Sequence, residues 1–421
     1  MKKATLLLIL ALACALLLTS CTMIEDYIRE YKEEMEFKNE YGLEIVTEKF
    51  HYVDNGVERF MISRYVGGIG SCTESRIVVS HGLYAIGKEA FKDCDSIEEI
   101  VLPSCLEYIG EEAFKGCSSL KSIKRVDCEC GYNNFYMIME SAFEDCVSLE
   151  EVELGDAPKG REITLWQNAF KGCSALKKIS IPRGVVYIDR NTFEGCTSLE
   201  EVFFPFGLVE IYYEAFLNCT SLKTIHLSSG LKTLGGFEGC TALESVSIPE
   251  GTTTINARAF EGCSSLKSVN LPTTLKSIEV QAFHNCSSLK SIALPDTVGY
   301  IGTNAFAECT SLTEVTTFSG RAIEGEENSH TIDSSAFREC SALTKVELPT
   351  DITTISYSVF YNCASLESLV IGESVVKIGD NIFDGCDSLT DIYYCGSEEM
   401  WNAIEKSDIP EEVTLHFNYN K

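Results

Sequence analysis

The stretch INARAFEGCSSLKSVNLP, residues 255–272, decides the fold, because close variants of it recur along most of the 421-residue chain. A Phe followed three residues later by a Cys occurs thirteen times, and eight of the twelve intervals between successive Phe residues are 23 residues long. Self-similarity at a fixed period of this length indicates a solenoid in which each repeat forms one coil. The thirteen are Phe91, Phe114, Phe143, Phe170, Phe193, Phe216, Phe237, Phe260, Phe283, Phe306, Phe337, Phe360 and Phe383.

Each part of this unit has a physical role. The pattern Leu266-x-x-Val269-x-Leu271 predicts a short strand with alternate side chains pointing inward, and Pro272 ends it. Ile278, the counterpart of Ile255, adds an inward anchor, and the Ala-Phe pair turns the aromatic ring into the core. The residue before Cys is Gly, Asn or Asp in eleven of thirteen repeats, which predicts a left-handed turn there.

A single coil of this length cannot bury its own apolar side chains, so the coils must stack. Neighbouring strands of a sheet lie about 4.8 Å apart, and thirteen coils therefore predict a rod or arc roughly 60 Å long. The irregular intervals place insertions at 124–134, 155–162 and 317–330 and a two-residue deletion near 235. The acidic insertion at 321–330 is either a recognition loop or a solvated excursion.

The repeat pattern resembles the BspA-like, or Treponema-type, bacterial leucine-rich repeats over residues 43 to 418. The resemblance implies a mainly parallel β solenoid of the leucine-rich-repeat type, with short helical or 3-10 turns, a cap at 43–84, a solenoid at 85–394 and a cap at 395–421. Residues 50–65, with a turn at 54–56, resemble the N-terminal capping hairpin. A helix at 398–404 and a strand at 413–417 resemble the C-terminal cap, which would cover apolar faces and pairing edges.

The N-terminus predicts export. Met1-Lys2-Lys3 precedes an apolar run at 4–18, which is short for a membrane span and typical of a signal peptide at 1–20. Leu18-Thr19-Ser20-Cys21 resembles the bacterial lipobox, which implies cleavage before Cys21, lipidation of its thiol and anchoring to the cell membrane or outer membrane, facing the exterior. An uncleaved anchor and an ordinary signal peptide are the alternatives.

Residues 21–42 are expected to form a spacer. Charged side chains dominate, and the apolar residues after Cys21 fall at helical spacing, which predicts a helix that either lifts the repeats off the membrane or docks on the first repeat. These apolar residues are Ile24, Tyr27, Ile28, Tyr31 and Met35.

Charge and motifs exclude several function classes. The formal net charge is −29, which opposes binding to nucleic acid and to anionic lipid headgroups. The sequence contains no nucleophile elbow, phosphate loop, zinc-protease motif or dinucleotide fingerprint. We therefore expect a monomer without catalytic residues or a cofactor, bound to membranes through its lipid alone.

The chain has 20 cysteines, of which thirteen are the repeat Cys. We expect these thirteen to be buried thiols, because Cβ atoms stacked nearly 5 Å apart are farther apart than the mean of about 3.8 Å in disulfides. Their spacing and the scattered His residues do not fit a zinc site. Cys105 and Cys128 fall at equivalent positions of adjacent coils, so a disulfide from Cys105 to Cys128 or Cys130 is one possibility; free thiols in an insertion are the other.

The position seven residues after each Phe should face solvent, and its charge alternates over the first eight repeats. Each exposed pair is worth roughly 0.2–1 kcal/mol, and a one-coil slip would place like charges together. The alternation therefore indicates that these charges stabilise the solenoid and control the register of its coils. The alternative is that they form a protein-docking surface. The series runs Glu98, Lys121, Glu150, Lys177, Glu200, Lys223, Glu244 and Lys267.

Aromatic residues interrupt the polar outer face. Phe203 should point outward beside Phe206, with His226 one coil further on and Tyr213 nearby, which makes these four residues candidate binding anchors. Local packing against the neighbouring coil is the alternative. Tyr393 and Tyr394 are instead expected to be covered by the C-terminal cap.

These features favour a surface adhesin or ligand-binding lipoprotein that binds a protein or a surface glycan, since the resembled family tends toward such binding. The competing hypothesis is a structural or assembly scaffold of the envelope without a host ligand. An enzyme is the third hypothesis and has no motif in its favour.

Overall fold

The computed structural model describes residues 74–79, 83–104, 106–126, 136–156, 162–318, 330–406 and 409–420, and the backbone of strands at 34–38, 44–54 and 57–65. The repeats stack as parallel coils, which confirms the solenoid expected from the sequence. Each full coil contributes one strand to each of two parallel ladders and returns through a turn that contains the repeated Phe.

The first ladder holds the strand predicted from the Leu-x-x-Val pattern. Its central residue is apolar and points into the core, while its flanking residues face solvent, as in Ser268–Asn270. The ladder is divided into sheets of four, three, two and six strands. Its strands are β4 (Arg76–Val78), β6 (Glu99–Pro103), β8 (Ser122–Val126), β10 (Glu151–Val152), β12 (Lys178–Ser180), β14 (Glu201–Phe203), β16 (Thr224–His226), β18 (Ser245–Ser247), β20 (Ser268–Asn270), β22 (Ser291–Pro295), β24 (Glu314–Phe318), β26 (Lys345–Glu347), β28 (Ser368–Ile371), β30 (Asp391–Tyr394) and β32 (Thr414–His416).

The second ladder forms one continuous sheet. The sequence predicted the Ile of this ladder as an inward anchor and not as part of a strand. The strands of this ladder are mostly two residues long and align without shifts over most of the solenoid, for instance with Ile255 beside Ile278. They are β5 (Leu83–Ile86), β7 (Tyr108–Ile109), β9 (Tyr136–Ile138), β11 (Ile163–Leu165), β13 (Val185–Ile188), β15 (Glu210–Ile211), β17 (Thr233–Leu234), β19 (Thr254–Ile255), β21 (Ser277–Ile278), β23 (Tyr300–Ile301), β25 (Thr331–Ile332), β27 (Thr354–Ile355), β29 (Lys377–Ile378) and β31 (Glu405–Lys406).

The third side of each coil is a turn that also bonds to the next coil. Around Phe170, the N–H groups of Asn168, Phe170 and Gly172 donate to carbonyls of the following coil at 3.2, 2.8 and 2.7 Å. The residues between them close bonds to the third residue before, as the Lys171 N–H does to the Asn168 carbonyl, and the Cys173 N–H likewise bonds to the Phe170 carbonyl. These bonds are of the 3-10 type, but left-handed residues interrupt the series, so the expected helical connections are turns.

The left-handed position before Cys is confirmed in all thirteen repeats, including the two where the residue is glutamate. Glu308 has a φ of 63° and Glu339 a φ of 60°. A second left-handed position, two residues before Phe, escaped the sequence analysis because Glu, Ser, Asn, Arg and Gln all occupy it, as in Arg258 with a φ of 58°. Because left-handed and right-handed residues alternate in this turn, every second N–H points along the solenoid axis.

The thirteen Phe rings form one continuous column. Successive rings lie parallel, with centroid distances from 5.0 to 6.3 Å and interplanar angles from 1° to 15°. All are buried, and only Phe383 in the last repeat is as much as 8% exposed. Offset stacking at this separation is favourable beyond the burial of area.

The repeat cysteines form a second column, and twelve of them are free thiols, as expected. The Sγ atom of each of these twelve donates to the carbonyl oxygen of the Phe one coil earlier, at 3.0 to 3.4 Å. The expectation is wrong for Cys94, which is disulfide-bonded. Cys94 belongs to the first repeat and has no preceding Phe-x-x-Cys coil to supply the carbonyl that the other thiols use.

Both caps contain the strands that the resemblance implied. At the N-terminus, β2 (Glu44–Asp54) and β3 (Val57–Tyr65) form an antiparallel hairpin, and β3 pairs with β5 of the first coil. At the C-terminus, helix α1 (Glu398–Ala403) begins after Ser397, and β32 pairs with β30. Buried Trp401 packs on Tyr394 at 5.2 Å and Tyr393 stacks on His416 at 4.4 Å, so the cap covers both tyrosines as expected.

The helical spacer prediction is wrong for residues 34–38. They form strand β1 (Glu34–Lys38), which pairs antiparallel with β2. In this segment Met35 and Phe37 alternate with charged residues, and this period of two fits a strand. The helix was predicted from the helical spacing of the apolar residues that begins before this segment. Residues 21–33 and 39–42 of the spacer lie outside the described residues.

Candidate functional site

The outer face of the first ladder is lined by the alternating charges and then broken by aromatic rings. Four ion pairs join a lysine of the series to the glutamate one coil earlier: Lys121–Glu98 at 2.8 Å, Lys177–Glu150 at 3.3 Å, Lys223–Glu200 at 3.2 Å and Lys267–Glu244 at 2.8 Å. All eight side chains are more than half exposed, so each pair adds little stability on its own. The pairing supports the predicted role in register.

Phe203 is the first interruption. The strand alternation of β14 points Val202 into the core and Phe203 outward, and Phe203 is 43% exposed. It lies beside Ser180 of β12 and His226 of β16. The Phe203 and His226 rings stack with centroids 5.6 Å apart, and His226 Nε2 lies 3.6 Å from a Glu201 oxygen. A stacked aromatic pair with a carboxylate at its edge therefore faces solvent in the middle of a polar sheet.

Phe206 extends this surface beyond the strand. Phe204 turns inward and meets Phe216 edge-on at 5.8 Å, and Pro205 is buried. The turn then continues through Gly207, whose φ of 108° favours glycine, and leaves Phe206 82% exposed. We call Phe203, Phe206 and His226 the phenylalanine surface.

Tyr213 lies elsewhere on the coil. It follows β15 of the second ladder, where it is 38% exposed and the Arg190 guanidinium carbon lies 4.0 Å from its ring centroid. The four candidate anchors therefore divide between two faces. Tyr187 on β13 is 49% exposed and lies on the same ladder as Tyr213. The sequence analysis did not identify it, although a residue directly before the inward Ile188 is expected to face outward.

Several predicted positions lie outside the described residues. These are the lipidation site Cys21, the three cysteines Cys105, Cys128 and Cys130, and parts of the insertions, namely 127–135, 157–161 and 319–329. Within the described ranges, no helix has both the length and the apolar character that a bilayer span requires.

The burial of the repeat thiols removes them from chemistry at this surface. Burial raises the pKa of Cys196 to about 12, and it raises the pKa of Cys309 to about 12 as well. A thiol is nucleophilic or metal-binding as its thiolate, so a raised pKa and a buried sulfur both oppose reactivity. The exposed aromatic and charged side chains remain as the groups that can meet a ligand.

A model described as the BspA type leucine-rich repeat region (6 copies) matches residues 70–160, 127–236, 235–326 and 317–407. The chain belongs to this family. The BspA-type repeats span most of its length and coincide with the stacked coils described above. A search of curated protein sequences finds no match.

Solved structures similar to this BspA-type chain come from several bacteria. A leucine-rich cell surface protein from Faecalibacterium prausnitzii is 25% identical, with 90% of this chain and 99% of that one covered and a TM-score of 0.45. A leucine-rich repeat protein from Bacteroides ovatus is 22% identical, with 88% and 98% covered and a TM-score of 0.48. The pneumococcal vaccine antigen PcpA is 16% identical, with 92% and 99% covered and a TM-score of 0.46.

Proposed function

We propose that this chain is an exported, lipid-anchored, non-catalytic solenoid that binds a protein partner at the outer face of the bacterial cell, through the phenylalanine surface. The solenoid presents side chains at a fixed spacing on two long ladders, which suits recognition of an extended partner. The family membership agrees with a binding role, and the lipobox-like residues before Cys21 supply the anchor.

The observation that carries the proposal is the exposure of Phe203 and Phe206. Positions equivalent to Phe203 on nearby strands hold Ser180, Ser247 and Asn270, so the exposure of aromatic rings here is a local departure from a polar face. Exposed aromatic residues at the centre of a surface are typical energetic anchors of protein interfaces. The adjacent His226 and Glu201 would form the polar rim of such an interface.

The binding role is tested with the unlipidated chain from residue 22 onward, screened against extracellular-matrix proteins and against envelope proteins of the source bacterium. We expect saturable binding that falls about tenfold or more when Phe203 and Phe206 are replaced by Ser, since loss of an anchor costs at least 1–2 kcal/mol. Val376→Ser is the matched control, because Val376 is 62% exposed and lies far along the solenoid.

An unchanged affinity in the Phe203→Ser, Phe206→Ser variant would exclude this surface. Binding to envelope proteins alone would favour the scaffold over the adhesin. The anchor is tested separately by labelling cells with a radioactive fatty acid: the wild-type chain should carry the label, the Cys21→Ser variant should not, and equal labelling of both would exclude lipidation at Cys21.

A further inference from the structure

A second exposed aromatic cluster lies on the second ladder, across coils that also carry the phenylalanine surface. Tyr187 on β13 and Tyr212 just after β15 face each other with ring centroids 6.4 Å apart and an angle of 44° between the rings. Tyr213 adds a third ring, and Arg190 lies over it. We call Tyr187, Tyr212, Tyr213 and Arg190 the tyrosine cluster.

Carboxylates border the tyrosine cluster. Glu210 pairs with Tyr187 in the ladder register, and Asp189 occupies on its coil the position that Tyr212 occupies on the next. Burial raises the pKa of Tyr212, and the charges of Glu210 and Asp189 and a hydrogen bond with Glu210 raise it further. The Asp189 carboxylate also accepts the backbone N–H of Arg190 at 2.7 Å, which fixes its position.

The following coil leaves this cluster open on one side. That coil carries the two-residue deletion, and Gly236 stands directly before Phe237, where every other repeat has a side chain. A Cβ at Gly236 would lie 2.4 Å from the Tyr212 carbonyl oxygen, so this glycine, with a φ of 90°, allows the chain to pass beneath the tyrosines. Tyr212 and Tyr213 therefore meet no side chain from Gly235 or Gly236 on this flank.

Two backbone N–H groups beside the cluster also lack a backbone acceptor. In nine coils, the N–H of the left-handed residue before Ala-Phe or its equivalent donates to the next coil, as Arg258 does to Val280 at 2.9 Å. Across the described residues, the corresponding N–H groups of Asn191, Glu214 and Asn381 have no backbone acceptor, and only that of Glu214 faces the coil with the deletion. Two hydrogen-bond donors thus accompany the rings and the charged side chains.

We propose that the tyrosine cluster is a binding site for a neutral glycan built of hexopyranose units. One face of a pyranose ring presents C–H groups that pack on the electron-rich face of an aromatic ring, while its hydroxyls need donors and acceptors around the edge. The tyrosine cluster supplies both kinds of group side by side. The phenylalanine surface, whose two Phe rings have no hydroxyl, is better matched to a protein.

Charge selects a neutral glycan over an acidic one. Asp189 and Glu210 outnumber Arg190 locally, and the chain carries a net charge of −29. A uronic or sialic acid would therefore meet repulsion both at the cluster and from the protein as a whole. The inference is separate from the proposed protein-binding role, because the two surfaces lie on different ladders and share no residue.

Affinity electrophoresis of the full chain, in mild detergent, tests this site with soluble neutral glucan, mannan and galactan in native gels. At least one polysaccharide should retard the wild-type chain. Tyr187→Ala and Tyr213→Ala should each weaken this retardation about tenfold, as expected for loss of an anchoring ring. Tyr187→Phe keeps the ring face and should retain most of the binding.

Tyr357→Ala is the matched control, because Tyr357 lies three residues before Phe360, as Tyr213 does before Phe216, and is 60% exposed. It should not change the retardation, and unchanged thermal melts should show that all variants fold.

The proposal is wrong if none of the three polysaccharides retards the chain, if Tyr187→Ala migrates like the wild type, or if polygalacturonate is bound through the same residues. Loss of protein binding alone in Tyr187→Ala would instead make this cluster part of a protein interface. The Phe203→Ser, Phe206→Ser variant should keep its glycan binding, which separates this test from that of the proposed function.

Discussion

The Sγ atom of Cys196 donates a hydrogen bond to the carbonyl oxygen of Phe170 in the preceding coil, 3.3 Å away. The same carbonyl accepts the backbone N–H of Cys173 from its own turn, also at 3.3 Å. The repeat Cys is therefore more than a small apolar filler: it ties each Phe turn to the next one. Its side chain provides a weak donor that can be buried without the desolvation cost of a hydroxyl.

Replacing Cys196 by Ala should lower the free energy of unfolding by about 1–2 kcal/mol, because the variant loses the S–H donor and leaves a small void. The measurement is the urea midpoint followed by circular dichroism. Thr197→Ala, on the exposed neighbouring position, should change the stability by less than about 0.5 kcal/mol. Equal midpoints for Cys196→Ala and the wild type would show that the thiol hydrogen bond contributes nothing.

The buried thiols also predict a loss of stability in alkali. Burial raises the pKa of Cys117, like that of Cys196, from 9.0 to about 12. Above pH 9 the unfolded chain releases thiol protons that the folded chain retains, so unfolding is favoured as the pH rises toward 12. Each such thiol contributes up to about 1.4 kcal/mol per pH unit in this window.

The test of the alkaline loss is the urea midpoint at pH 8 and at pH 10 under reducing conditions. We expect a marked fall for the wild type and a smaller fall for a variant in which Cys196 and Cys219 are both Ala. A urea midpoint that is the same at both pH values would contradict the conclusion that the thiols of the cysteine column are buried and protonated.

The Phe column predicts that the cost of removing a ring depends on its place. Phe216 stacks on a Phe ring at 5.1 Å on each side, whereas Phe383 has Phe360 alone, at 6.3 Å, and is slightly exposed. Phe216→Ala should destabilise by about 3–5 kcal/mol and separate unfolding into two steps, because coupling between coils is broken in the middle. Phe383→Ala should cost less and keep a single main transition.

Calorimetric scans of the two variants distinguish these outcomes. Equal destabilisation by Phe216→Ala and Phe383→Ala would mean that ring-to-ring contact adds nothing beyond burial at each site.

The sequence predicted the solenoid because periodicity reports directly on burial: Phe260, Val269 and Ile278 recur where the coil must face inward. It did not predict that the Ile278 position forms the continuous sheet, since a two-residue strand has no alternation to detect. The left-handed residue at Arg258 was missed for a related reason. Backbone contacts with the next coil hold that conformation, and residues of many types can adopt it at a cost.

The candidate site was predictable to the extent that it depends on strand alternation. That rule identified Phe203 as outward-facing and His226 as its neighbour, and both are exposed. Tyr213 was grouped with them because it is close in sequence, but ten residues carry the chain from one ladder to the other. Nothing in the spacing shows how a turn divides neighbouring residues between faces, so the tyrosine cluster emerged only from the structure.

The alternating charges predict a salt-sensitive effect. Lys223 lies 3.2 Å from Glu200, and Glu244 follows on the next coil. Lys223→Glu would place three glutamates in succession and should destabilise by about 0.5–1 kcal/mol at low salt, with most of the loss removed at about 1 M salt by screening.

Urea midpoints of Lys223→Glu at low and high salt give the measurement, with Lys223→Gln as the control that removes the attraction without adding repulsion. A salt-independent loss would attribute the effect to packing of the lysine stem.

Glu308 provides a case in which stability can be gained. Its φ of 63° is a conformation that costs a non-glycine residue about 1–2 kcal/mol, and most repeats place Gly, Asn or Asp there. Glu308→Gly removes this cost while adding about 0.5–1 kcal/mol of unfolded-state entropy, so a net gain of about 0.5 kcal/mol is expected. Glu308→Ala, which loses the same carboxylate but keeps the left-handed strain, should show no gain. Urea midpoints of the two variants decide the cause: if Ala stabilises as much as Gly, the benefit comes from loss of the glutamate side chain, and the backbone at this turn is unstrained.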